Sequence, residues 1–152
     1  HLERKAFTRG RHNDGRFVRW PSDDVRFTRR IVSAFEQQLR DALGEVEHAL
    51  VMTHHPAFRG IGFPRQGPPQ GLDGLLWEAL SGNAAMESVL EQHAERIPFI
   101  FSGHTHRANE ARLGASHGFN IGGDYHFKRL ITVDWPAGTI DIHTFGDPDR
   151  RR

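Results

Sequence analysis

Apolar residues recur at helical spacing from Ser22 to Gly44: Val25, Ile31, Phe35, Leu39 and Ala42 lie on or near one face. Arg29, Arg30, Gln37 and Arg40 fall mainly on the other, so the segment predicts an amphipathic helix packed on a sheet. Ser22, after Pro21 and before Asp23 and Asp24, supplies an N-cap with acids favourable to the helix dipole, and Gly44 marks the end. Ala49 to Met52 then form a short continuous apolar run, the pattern of a strand covered on both faces. From Ala57 to Gly74 the chain is rich in Gly and Pro and predicts a long loop, with a short helix over Leu75 to Leu80. A further helix is expected from Asn83 to Glu95, with Val89, Leu90 and Ile97 facing the core. Phe99 to Phe101 is a second fully apolar strand, started by Pro98. Shorter strand-like runs follow at 110–113, 118–121, 130–135 and 139–145, the last two joined by a turn at Pro136, Ala137 and Gly138. Helix, strand, loop, helix, strand and β meander predict an α/β sandwich with mixed sheets.

Composition narrows the chemistry. At 152 residues and 37% hydrophobic content the chain can bury one core, and we read it as a single domain with a basic lead-in over 1–20 and a flexible tail over 146–152. No apolar run approaches the roughly 18 to 20 residues that span a bilayer, so a soluble protein is expected. The chain opens on His1 rather than methionine, which leaves localisation open and suggests a missing upstream part. With no cysteine, a metal must be held by nitrogen and oxygen, which turns attention to the eleven histidines. Residues 1–30 carry nine Arg/Lys against four Asp/Glu, yet no aromatic interleaving or nucleic-acid motif accompanies them, so a solvated face is the better reading.

Two histidine clusters stand directly after the apolar strands, where open α/β sheets gather ligands. In Thr53-His54-His55-Pro56, extended backbone would point the two imidazoles oppositely, so that one alone enters a site. In Gly103-His104-Thr105-His106, the same geometry at i and i+2 would place both imidazoles on one side. His12, His48, His93, His117 and His143 read as surface or structural residues; Asp124 and His126 could approach a site, or equally belong to a turn.

Thr53-His54-His55-Pro56, followed by Ser102-Gly103-His104-Thr105-His106 with His104 fifty residues after His54, resembles the last two motifs of the calcineurin-like metallophosphoesterases. The similarity runs from about Arg16 to Phe145 and includes Gln37-Gln38-Leu39 and Phe119-Asn120-Ile121-Gly122. It implies the C-terminal half of a calcineurin-like αββα sandwich. It implies hydrolysis of a phosphomonoester or phosphodiester at a centre of two divalent or trivalent metal ions such as Mn, Fe or Zn. By the resemblance, His54 and His104 bind one metal, His106 reaches the other, and His55 is a neighbour. Phe58 and Arg59, just past the first motif, are candidates for substrate contact.

The chain departs from the family by lacking the upstream Asp-x-His, Gly-Asp-x-x-Asp and Gly-Asn-His-Asp/Glu motifs; Gly10-Arg11-His12-Asn13-Asp14 has similar letters in the wrong order. Those motifs hold the bridging carboxylate, the amide ligand and a histidine near the leaving group, so this chain has no general acid of its own. Two cations held close together need carboxylates, which three neutral imidazoles do not supply. The expected partner is therefore an N-terminal half, from the same or another chain, alongside a phosphate-ester substrate. The alternative is a non-enzymatic binding module keeping a partial or structural metal site. A metallo-β-lactamase-like pattern fails because Ala108 and Asn109 follow Arg107.

Overall fold

A computed structural model describes residues 13–19, 21–62 and 71–150. Most of the basic lead-in, the middle of the Gly/Pro-rich loop (63–70) and the last two residues of the tail lie outside the described residues. The architecture is α/β, as the pattern predicts.

A five-residue helix, α1 (Asn13–Phe17), precedes the long α2 (Asp24–Glu45). The N-cap of α2 is Asp23 rather than Ser22: its extended backbone lets the carboxylate accept the Arg26 amide at 2.8 Å. Gly44 does not end the helix, which closes one residue later with Val46 N–H donating to the Ala42 carbonyl. The inward face is also rotated from the expected one. Val32, Phe35, Leu39 and Leu43 pack on the core, whereas Val25, Ile31 and Ala42 are exposed. Arg96 completes the helix end: its guanidinium donates to the carbonyls of Leu43 and Val46 at 2.6 Å and of Glu47 at 3.0 Å. A cation there satisfies orphan carbonyls and complements the dipole.

After α2 comes β1 (Val51–Met52), then a 3-10 turn at Arg59–Ile61. The helix α3 (Gly71–Ser81) begins within the stretch expected to be loop. Apolar positions at Leu72, Leu75, Leu76 and Leu80 keep helical spacing, and this outweighs the breaking tendency of Gly71 and Gly74. Next, α4 (Ala84–Gln92) is capped by Asn83, whose side chain accepts from the amides of Ala85 and Met86; it gives way to a 3-10 turn at Ala94–Arg96 before reaching Glu95.

The strands β2 (Phe99–Ser102), β3 (Asn109–Leu113) and β4 (Ser116–Asn120) join β1 in one mixed sheet of order β1-β2-β4-β3. β1, β2 and β4 are parallel, with Val51 opposite Ile100 and Ile100 opposite Gly118, while β3 and β4 form an antiparallel hairpin. One sheet face, through Val51 and Ile100, meets Leu39, Leu43, Phe58, Ile61, Val89 and Leu90 in the main core. Each fully buried Leu, Ile or Phe there contributes about 1.5–3 kcal/mol. The other face carries aromatics in register: Phe101 stacks on Phe99 and Phe119, and His117 lies against Phe119. Finally β5 (Phe127–Asp134) and β6 (Thr139–Gly146) pair in an antiparallel hairpin closed by the expected turn, and Trp135 at its tip meets Phe99 and His48 edge-on. Among the described residues no helix is long and apolar enough to cross a membrane.

Candidate metal centre

Parallel pairing brings the carboxyl ends of β1 and β2 side by side, and short polar residues lock them there. The Thr53 amide continues the ladder to the Phe101 carbonyl, and Gly103 N–H donates to the His54 carbonyl. The Thr53 hydroxyl donates to the His55 carbonyl at 2.6 Å and stands 2.8 Å from the Ser102 hydroxyl, which accepts from Ala57 N–H. Each hydroxyl has one hydrogen, and that of Thr53 is committed, so Ser102 is the donor between them.

This tie bends the chain at His54 and His55, where extended backbone was expected. The bend turns both imidazoles to one side. The candidate ligand atoms of His54, His55 and His104 all lie within 4.8 Å of one another, and His54 Nε2 is 3.3 Å from His104 Nδ1. The His55 ring sits 4.1 Å, centroid to centroid, from that of His104. His55, expected as a neighbour, thus stands within the cluster.

The second motif also departs from an extended segment. His104 and His106 both have positive φ, 69° and 57°, and Thr105 N–H reaches back to the Gly103 carbonyl at 2.8 Å in a three-residue turn centred on His104. Non-glycine residues rarely adopt such φ, and a site that holds two of them stores strain. The turn sends His106 away from the three-histidine cluster: its Nδ1 faces Asp124 at 3.9 Å and its ring lies beside Tyr125.

Two asparagines to which the sequence pattern assigns no role hold this arrangement. Asn120, 2% exposed at the end of β4, donates from Nδ2 to the Thr105 hydroxyl at 2.8 Å and to the Ile61 carbonyl at 3.2 Å. Its Oδ1 is buried and finds no hydrogen-bond partner among the described residues. Asn109 donates to the carbonyls of Gly60 and Gly62. Their position at strand termini beside the histidine motif was the available signal.

Of the two expected substrate contacts, Phe58 is instead a core residue, 3% exposed, its ring lying where a Cβ on Gly118 would have to stand. Arg59 is exposed in the 3-10 turn, and its amide donates to Glu87 at 2.6 Å. A cleft of about 220 Å³ opens beside the cluster, lined by His104, Thr105 and His106 on one wall and Trp77, Leu80 and Ser81 on the other. His117 lies outside the site, facing Glu110 at 3.8 Å; burial, reinforced by Arg112 and opposed by Glu110, lowers its pKa from the ordinary imidazole value.

Comparison of the chain with family models, with curated proteins and with solved structures gives no match. The geometry therefore carries the functional argument. Three converging imidazoles form a nitrogen donor set suited to one borderline transition metal. They bring no negative charge to neutralise a second.

Proposed function

We propose that this chain carries the imidazole-rich share of a metal-dependent phosphoesterase centre, in a calcineurin-like sandwich completed by an N-terminal half. The observation that carries the reading is the convergence of His54, His55 and His104 at the carboxyl ends of two neighbouring parallel strands. These residues fit one ion such as zinc, iron or manganese, and a second would draw on His106 together with carboxylates of the N-terminal half. When bound, such metals polarise a phosphoryl oxygen and activate water. The chain's own residues do the positioning: the Thr53–Ser102 tie fixes the first motif, Asn120 fixes the turn of the second, and His104 and His106 face the cleft that would receive the ester. The N-terminal half as partner is supported by β1, which is an edge strand among the described residues and leaves Met52 81% exposed with Leu50 just before it at 52%, because parallel strands are ordinarily covered on both faces.

Zinc titration followed by thermal unfolding tests the centre. At a free zinc concentration 100-fold above Kd, stabilisation of about 2.7 kcal/mol is expected, and His54→Ala or His104→Ala should remove it. His55→Ala should weaken zinc binding as well; retention of full affinity would remove His55 from the ligand set, and no zinc response in the unaltered chain would sink the centre. In the completed domain, His104→Ala should abolish aryl phosphate hydrolysis. A second reading, a metal-holding module without catalysis, is favoured by the presence of the whole triad on this one chain, and an inactive completed domain that still binds zinc would select it.

A further inference from the structure

The cleft beside the histidines has two unlike walls, and they specify more of the ligand than the metal does. Trp77, Leu80 and Ser81 stand at i, i+3 and i+4 on the last turns of α3, so one helix face presents an indole and an aliphatic side chain together. That wall is braced. The Ser81 hydroxyl donates to the Trp77 carbonyl at 2.6 Å, and Gly82 comes so close to Pro56 that an added Cβ would lie 3.2 Å from its carbonyl oxygen. The end of α3 is thereby seated on the same turn that holds His54 and His55. Facing it, His104, Thr105 and His106 bring nitrogen and hydroxyl groups.

From this juxtaposition we infer that the cleft takes the planar aromatic group of an aryl or heteroaryl phosphate ester, the ring against Trp77 and the phosphate toward the histidines. The size agrees: about 220 Å³ exceeds the roughly 150 Å³ that accommodates benzene. One ring fits. Tryptophan offers a ring both apolar area and a stacking face, which an alkyl phosphate cannot use. The inference rests on the metal-centre reading for the phosphate end, whereas the ring end depends on the α3 wall alone.

Ligand-observed ¹⁹F and proton NMR on the chain, with and without zinc, separates the two. The zinc-loaded chain should bind 4-fluorophenyl phosphate about tenfold more tightly than methyl phosphate. Trp77→Ala should bring that ratio close to one, and Trp77→Phe should keep most of it, with circular dichroism verifying that both variants fold. The metal-free chain should still bind 4-fluorophenol, and Trp77→Ala should abolish that binding. Equal binding of the two phosphates, or an aryl preference that survives Trp77→Ala, overturns the proposal. If zinc does not bind, the metal-centre reading fails and the fluorophenol arm decides alone: no fluorophenol binding overturns the ring site, and binding that Trp77→Ala abolishes upholds it.

Discussion

Glycine and alanine at position 104 should reverse their usual order of stability. Both substitutions delete the same imidazole, so any difference between them reports the backbone. At an ordinary position glycine is the worse choice by about 0.5–1 kcal/mol, because it has more freedom to lose on folding. At φ +69° a Cβ costs about 1–2 kcal/mol, which glycine avoids. The two effects oppose, and the net expectation is His104→Gly more stable than His104→Ala by about 0.5–1 kcal/mol. For a chain of this size each kcal/mol moves the melting temperature by about 2–4 °C, so the gap is measurable by calorimetry in chelator, where metal binding does not enter. His104→Gly and His104→Ala should meanwhile lose zinc affinity equally, and by more than the 10- to 100-fold that removal of an outer partner costs. If the alanine variant proves the more stable, residue 104 is not held at positive φ, and the strained turn that diverts His106 from the cluster does not exist.

Asn120→Ala should destabilise the chain by about 1–3 kcal/mol in urea unfolding, since the Ile61 carbonyl and the Thr105 hydroxyl both lose a buried donor. It should also weaken zinc binding about 10- to 100-fold although no histidine is removed, and unchanged affinity would show that the second motif holds its shape unaided. The lowered pKa of His117 makes the folded state bind its proton less readily than the unfolded chain does. Its contribution to stability is therefore complete above about pH 6.5 and declines as pH falls from there toward the folded value. His117→Gln should flatten that part of the stability profile measured by urea unfolding, and an unaltered slope would assign it to another group.

The elements were legible where hydrophobic pattern was long or continuous. The helix over 22–44 and the strand ending at Phe101 follow from spacing that burial enforces. The strand ending at Met52 forms but is not covered on both faces, since Met52 is 81% exposed, and the final hairpin follows from its alternation and turn with no buried residue in either strand. Boundaries shifted where single hydrogen bonds decide them, as at Asp23 and Val46, and where apolar spacing outweighed glycine, as in α3. At the site, residue types and strand ends revealed the histidines but not their directions. Reading both motifs as extended would exclude His55 and align His104 with His106; the Thr53–His55 bond and the three-residue turn at His104 reverse both expectations. Phe58 misled because its nearness in sequence to the histidines says nothing of the glycine gap at 118 that draws its ring inward.

The bonds between Thr53 and Ser102 have a direction. Starting at the Ala57 amide, the run of donors passes through Ser102 on β2, crosses to Thr53, and finishes at the His55 carbonyl, two residues from where it began. It is a closed circuit that leaves the first motif, borrows one atom from the neighbouring strand and returns. Opening the first motif therefore requires detaching it from β2, and detaching β2 undoes the first motif. The circuit predicts that the two motifs open together, so that amide exchange at Ala57 and Gly103 should share a single opening free energy.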